Sequence, residues 1–304
     1  QAGLQNCKEC GATYPADSDE EQLFTAMFHL STIGQSYSFT VSAVNSAGES
    51  SPSSPSNSIM LAQQKIHPSV EILAPGEICT IAGSGKTGDS GDGGLAVDAC
   101  LNEPYDVAVD EQGNIYIADS GNNKIRRISV DTGIIETEVG TGTSGFSGDG
   151  GPAVNAQLDQ PRGIDFDSLG NLYIADRGNN RVRKVNVRSH EIETIAGNGS
   201  TGNDGDGLSA QLAQLANPES VSVDRTTGRI YITGIHGLTN NLWTNPRKRV
   251  RVVDETGTIH TFAGSDKGPN PQDGVSATNV TFSTNADLVI AVDSAGNVFI
   301  GEQN

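Results

Sequence analysis

Basic residues are scarce in this chain, and their scarcity excludes whole classes of partner. Nineteen Lys and Arg face 37 Asp and Glu across 304 residues, for a formal net charge of −18. Nucleic acid and anionic lipid surfaces both attract basic footprints, so no nucleic acid or charged lipid surface is expected as a partner. Apolar runs are short as well. None approaches the roughly 18–20 residues that a bilayer-crossing helix needs, so no membrane insertion is expected within this segment. The chain begins at Gln1 without an initiator Met or a signal peptide and reads as a mature or truncated segment. Five histidines (His29, His67, His190, His236 and His260) are scattered without metal-ligand spacing. No nucleophile elbow, HExxH, phosphate loop or dinucleotide fingerprint is present.

Cysteine is limited to Cys7, Cys10, Cys79 and Cys100. Four cysteines allow three pairings, and spacing does not choose among them. Cys7 and Cys10 form a CxxC, but no second pair or nearby His completes a zinc site, and the βαβ context of a redox motif is missing. Disulfides are the main expectation because other features point outside the cell, with free thiols as the alternative.

What the chain has in quantity is glycine, 37 residues, with 12 prolines. The glycines have no three-residue period, so collagen is excluded and a turn-rich, all-β protein is indicated. A longer period is present. Related stretches end at Gly83, Gly140, Gly197 and Gly264, in steps of 57, 57 and 67 residues. Gly91, Gly148 and Gly205 open Gly-Asp-Gly elements at the 57-residue step, and Pro104, Pro161 and Pro218 keep it. Each unit reads as four short strands. In the first these are Val107 to Val109, Ile115 to Ile117, Ile125 to Ile128 and Ile134 to Val139. The first is apolar throughout, as a doubly covered strand should be, and the fourth alternates with Glu136 and Glu138. The hairpin at Asp110 to Asn114 places Gly113 where φ must be positive. Four antiparallel strands per unit form a propeller blade, and one blade cannot cover both of its faces alone.

The stretches Gly113 to Asp119 and Asn122 to Arg127, repeated at Gly170 to Asp176 and Asn179 to Lys184, closely resemble the NHL-repeat family. The resemblance covers about residues 76–304 and implies a β-propeller, usually of six blades. About four are present, so the natural polypeptide is expected to continue beyond Asn304. Residues 37–56, with Tyr37, Phe39, Val41 and Ala43 alternating, resemble the last strands of a fibronectin type III module. Leu30 and Tyr37 have the spacing of that family's tyrosine corner. The domain reading is therefore 1–58 as a partial fibronectin type III-like module, 59–75 as linker, and 76–304 as an incomplete NHL-repeat propeller. The combination implies an extracellular or cell-surface setting.

Several residues are candidates for function. Asp89, Asp92, Asp149, Asp204 and Asp206 lie in Gly-Asp loops and are calcium candidates, although the spacing matches neither an EF-hand loop nor the nonapeptide repeats. The competing structural role is capping of backbone N–H groups in tight loops. Calcium is the one cofactor left open. Asp119 with Arg126 and Asp176 with Arg183 are expected to pair across a hairpin. In the third blade Thr233 is read at the Asp position, which leaves Arg251 solvated or facing a partner. The ten extra residues of that blade fall within His236 to Arg249, which holds Trp243, the only Trp, and a basic cluster. Trp243, Arg247, Lys248, Arg249 and Arg251 are the partner-binding candidates, against a Trp folded back on the blade edge. Asn198 and Asn279 head glycosylation sequons. The leading expectation is a non-enzymatic extracellular structural or interaction module, binding proteins or glycans, including copies of itself in a fibre or coat. The alternative is a metal-dependent propeller lyase or hydrolase with its site at the central channel.

Overall fold

The computed structural model describes residues 78–236, 247–265, 268–283 and 287–303, together with the backbone of five N-terminal strands. These are β1 (Leu23–Phe28), β2 (Ser36–Tyr37), β3 (Phe39–Asn45), β4 (Gly48–Glu49) and β5 (Ile59–Met60). β1 pairs antiparallel with β3, β3 with β4, and β2 with β5. Leu30 of the expected tyrosine corner lies outside the described residues.

The repeats fold as successive antiparallel meanders. Blade 1 is β6 (Pro104–Val109), β7 (Ile115–Asp119), β8 (Lys124–Ile128) and β9 (Ile135–Val139). The two-residue β10 (Gly151–Pro152) precedes blade 2, which is β11 (Pro161–Phe166), β12 (Leu172–Asp176), β13 (Arg181–Val185) and β14 (Glu191–Ala196). Blade 3 is β15 (Ser220–Val223), β16 (Ile230–His236), β17 (Arg247–Val253) and β18 (Ile259–Ala263). The fourth unit contributes β19 (Asp287–Val292) and β20 (Val298–Gln303). Strands join in chain order within each blade, and β10 adds to the outer strand β14 of blade 2.

Alternation along the second strand of each blade holds the stack together. Side chains of successive residues point to opposite faces. Tyr116 and Ala118 of β7 enter the core shared with blade 2, whereas Ile115 and Ile117 face the other way. In β12, Leu172 and Ile174 cover blade 1, and Tyr173 and Ala175 cover blade 3. β16 repeats this, with Ile230 and Ile232 toward blade 2 and Tyr231 toward the fourth unit. The tyrosines also pack edge-on: Tyr116 meets Phe166 of blade 2 at 4.9 Å, and Tyr231 meets Phe262 of its own blade at 5.0 Å between ring centroids. Phe299, at the corresponding place in β20, is 53% exposed.

The inner strands β6, β11, β15 and β19 follow one another side by side about the axis. Each is the edge of its own sheet, so its outward backbone groups need partners. They find them in the adjoining blade. Gly163 N–H donates to the Glu219 carbonyl at 2.9 Å. Ile164 N–H donates to Asp106 Oδ2 at 2.9 Å, and Val223 N–H to Asp165 Oδ2 at 2.8 Å. Gly163 is needed for this approach, since a Cβ there would lie 2.6 Å from Ser220 Cα. Burial pushes the Asp106 carboxyl up to about 7, with its two backbone donors, Ile164 and Val107, opposing.

Two outcomes are expected. Tyr173→Ala, which empties a buried site between blades, should cost about 3–5 kcal/mol in urea denaturation, whereas Phe299→Ala should stay within about 0.5 kcal/mol. Asp106 has a folded pKa raised above its ordinary 3.8, so the folded state holds the proton more tightly. Its contribution is therefore full below about 4 and is lost as pH rises through about 7. Denaturation midpoints measured from pH 4 to 8 should fall along that window, less steeply in Asp106→Asn.

Candidate functional site at the inner-strand end

The Gly-Asp loops are explained first, because they account for most of the carboxylates singled out above. Arg126 on β8 is fully buried. Its Nη2 donates to Asp92 Oδ1 at 2.6 Å and its Nη1 to Asp119 Oδ2 at 3.4 Å. Blade 2 repeats the arrangement: Arg183 bonds Asp149 at 2.7 Å and Asp176 at 3.2 Å. The expected Asp-Arg hairpin pairs are present, and each arginine also reaches out to the Asp of the preceding loop. Asp92 further accepts from the Thr137 hydroxyl at 2.7 Å, and Asp206 from Thr261 at 2.7 Å. Asp89 is engaged by Lys124 at 2.7 Å. These carboxylates are satisfied by guanidinium, ammonium and hydroxyl groups rather than by turn N–H groups. A calcium ion at Asp89, Asp92, Asp149 or Asp206 would have to displace those groups. Asp204 is exposed, and its carbonyl accepts from Gln214 N–H. Among the described residues no three His, Cys, Asp or Glu side chains converge as a metal site.

Asp119 and Asp176 also receive backbone N–H groups, from Asn102 at 2.7 Å and Asp159 at 2.8 Å. Burial nevertheless raises both carboxyls, Asp176 to about 6. In the fourth unit Glu302 takes over this duty and accepts from Ser283 N–H.

Blade 3 departs from the sequence reading by one position. Strand register pairs Ile117 with Arg126 and Ile232 with Arg251, so Asp119 corresponds to Gly234, and Thr233 to Ala118. Thr233 is buried, and its hydroxyl bridges its own inner strand to the fourth unit, accepting from Ser220 N–H at 3.0 Å and donating to the Leu288 carbonyl at 2.9 Å. Arg251 is not solvated. It is buried, and its guanidinium lies 2.6 Å from Asp206. Reading the Asp from spacing failed here because an extra residue enters before Tyr231. Arg251 is thus an internal bolt, not a partner-binding residue.

The β16–β17 hairpin runs past the normal turn, pairing Gly234 with Arg249, Ile235 with Lys248 and His236 with Arg247. Trp243 lies outside the described residues, and Arg247 is described by its backbone alone. Arg249 is half-buried and lines a small cleft with Asn203, Pro218 and Thr233. Lys248 is not on the surface. Its ammonium is buried and bonds Glu219 Oε2 at 2.7 Å, with Asp287 Oδ1 at 3.4 Å.

That pairing exposes a feature the repeat search missed. Tyr105, Arg162 and Glu219 occupy one position, two residues before the Val107, Ile164 and Val221 that pair with the second strand, and Asp287 lies one residue before the fourth unit's counterpart, Leu288. The neighbouring turns, Ser120 to Asn123 and Arg177 to Asn180, lie at the same end, because Gly121 N–H bonds the Asn102 carbonyl and Gly178 N–H that of Asp159. Arg162 stacks over Tyr105 with 4.3 Å to the ring centroid and sits 3.5 Å from Glu219. Burial raises the Glu219 carboxyl, and Lys248 opposes the shift. Comparing these residues across units would have found the position, since the repeat holds the flanking Pro104, Pro161 and Pro218 while this residue changes chemistry at every step.

The remaining candidates are placed as follows. Asn198 and Asn279 are exposed. Asn198 Nδ2 donates to the Leu212 carbonyl at 3.0 Å, and Thr281 of the second sequon buries its hydroxyl against the Ser265 and Gly268 carbonyls. Cys100 is a thiol 3.6 Å from Ser84 Oγ, its pKa lowered by hydrogen bonds from Ser90 and Ser84. Cys79 is half-buried, and Cys7 and Cys10 lie outside the described residues. No described helix is long and apolar enough to cross a membrane.

Four-stranded meanders packed face to face, with edge strands on the axis and variable residues at one axial end, define blades of a β-propeller. Residues 55–147 match the family model of the teneurin NHL domain, and residues 158–185 match that of the NHL repeat. Both matches support the NHL-repeat family for this chain, and the first begins inside the stretch read above as a module end and linker. The Arabidopsis thaliana protein Suppressor of Quenching 1, chloroplastic, is 33% identical over 110 residues, which are 36% of this chain and 10% of that protein. Human Teneurin-4 is 36% identical over 112 residues, 33% of this chain and 4% of that one. Human NHL repeat-containing protein 2 is 30% identical over 95 residues, 29% and 13% respectively. The matched region is thus about an eighth or less of each relative.

Removing one half of the buried bolt should be far more damaging than removing its exposed end. Arg183→Met strands Asp176 and is expected to cost about 3–5 kcal/mol, while Asp149→Asn should cost under about 1 kcal/mol, both measured by chemical denaturation.

Proposed function

We propose that this chain is part of an extracellular or cell-surface interaction module that binds protein or glycan partners through the loops at the inner-strand end. A larger fibre or coat assembly, including copies of the chain itself, is the setting that fits. The observation carrying this reading is the placement of the repeat's one long insertion. It lengthens the β16–β17 hairpin at the same end as the variable residues of the inner strands, and it seats Lys248 among them. Elsewhere the 57-residue step holds, so the departure is concentrated where a propeller presents loops to partners.

The likeness to the teneurin NHL domain supports protein interaction as the role. One relative is named chloroplastic, so the compartment rests on the sequons and the modular reading rather than on NHL likeness. Exposed Asn198 and Asn279 fit that setting, as does a fibronectin type III-like segment over residues 1–58. We favour binding over catalysis because Arg162, Glu219, Lys248 and Asp287 at this end are committed to one another as ion pairs.

The test is binding of the purified full chain to intact cells and, by sedimentation, to itself. Trp243→Ala combined with Arg247→Ala is expected to weaken one of these at least about tenfold while leaving the melting temperature in place. Unchanged binding in both assays would overturn the proposal.

A further inference from the structure

Blade 3 keeps the buried arginine of the series but loses most of its carboxylates. Strand register sets Gly234 opposite Arg249, where Asp119 stands opposite Lys124 and Asp176 opposite Arg181. In the Gly-Asp loops the repeat places Asn203 where blade 1 has Asp89, and Asp206 where it has Asp92. Around Arg126 the carboxylates of Asp89, Asp92 and Asp119 lie at 3.9, 2.6 and 3.4 Å. Among the described residues Arg251 pairs with Asp206 alone, whose side chain is 43% exposed. Asp204 of the same loop is exposed and makes no ion pair with it. The Arg251 Nη1, whose counterparts reach Asp119 and Asp176, donates only to the Asn203 carbonyl at 3.2 Å and the Gln214 carbonyl at 3.5 Å. Arg251 itself is 2% exposed, so a desolvated cation faces a single, half-solvated counter-charge.

Beside it lies a built space. Asn203, Arg249 and Arg251, with Leu215, Pro218 and Ile232, line a cleft of about 10 Å³, room for one water-sized group. The Asn203 Nδ2 is buried and has no hydrogen-bond acceptor. Ala216 also borders the cleft. Its counterparts, Asn102 and Asp159, give their backbone N–H groups to Asp119 and Asp176, and Gly234 offers Ala216 no such carboxylate. Nor has the backbone a place for one, since a Cβ at Gly234 would lie 2.8 Å from the Ala216 carbonyl oxygen. Two guanidinium groups and an unpartnered amide donor over an apolar floor repel a cation and suit an anion. The volume admits an ion of halide size and not a sulfate or a phosphate.

We propose that Arg251 and Asn203, beside the Ala216 backbone, form a binding site for one small monovalent anion of halide size, which supplies the charge that Asp119 and Asp176 supply in the other blades. This goes beyond the interaction reading and does not rest on it.

The experiment uses the full chain with chloride as probe. Methanesulfonate, too large for the cleft, holds the ionic strength constant. Melting temperature and the chloride NMR line width are followed. At about 0.2 M, chloride is expected to raise the melting temperature by at least about 2 °C over methanesulfonate. The chloride line should broaden with protein present and sharpen again when bromide competes. Asn203→Asp, which restores the carboxylate that blade 1 has in Asp89, should abolish both effects without lowering the melting temperature in methanesulfonate. Asn155→Asp, the same change at an exposed position of the loop entering blade 2, should leave both intact. A line that stays sharp with the native chain would overturn the site, and that reading needs no variant to fold. So would a chloride effect that persists undiminished in Asn203→Asp. Formate stabilising more strongly than chloride would overturn the halide assignment in favour of a carboxylate.

Discussion

A β-sheet with apolar residues on both faces cannot stop at one layer, and every other feature of this molecule depends on that constraint. Alternate residues of one strand serve different neighbours. In β12, Leu172 and Ile174 close the core toward blade 1, and Tyr173 and Ala175 close the one toward blade 3. Burying Tyr, Ile and Leu side chains at about 25 cal/mol per Å² drives this stacking. Because each sheet is twisted, stacking sheets of like hand turns them about an axis rather than piling them flat.

Stacking by apolar contact alone would let blades slide. The buried arginines remove that freedom. Arg126, Arg183 and Arg251 each tie the third strand of a blade to the Asp of the loop that enters it, and Arg126 and Arg183 also hold the second strand through Asp119 and Asp176. A charge this deep costs several kcal/mol to desolvate, so the arginines are held only because donors and carboxylates are aligned. The inner edges use a related device, with Asp106 and Asp165 reaching across to the backbone of the next blade. Between them, these two sets occupy seven carboxylates in holding the blades together.

Variation concentrates where the repeat loosens. Positions that bolt blades together keep their chemistry at each step: Tyr116, Tyr173 and Tyr231, or the three arginines. The start of the inner strand does not, passing from Tyr105 to Arg162, Glu219 and Leu288. Backbone packing at that point is carried by the flanking residues, so the side chain is free to vary. The long hairpin of blade 3 opens at the same end and draws Lys248 inward to neutralise Glu219.

The 57-residue step, the Gly-Asn turns and the period-2 alternation are local or evenly spaced, so the sequence by itself determined the blades, their strand order and the Asp-Arg hairpin pairs. It could not place Arg251, because a single extra residue before Tyr231 shifted the comparison, and only strand register shows Gly234 in the Asp position. Nor could it tell a carboxylate awaiting calcium from one already held by an arginine about 35 residues away, as Asp92 is by Arg126. The meeting of Arg162, Glu219, Lys248 and Asp287 was decided by tertiary structure alone. They come from different blades, and only the turning of sheets about a common axis brings them together at one end.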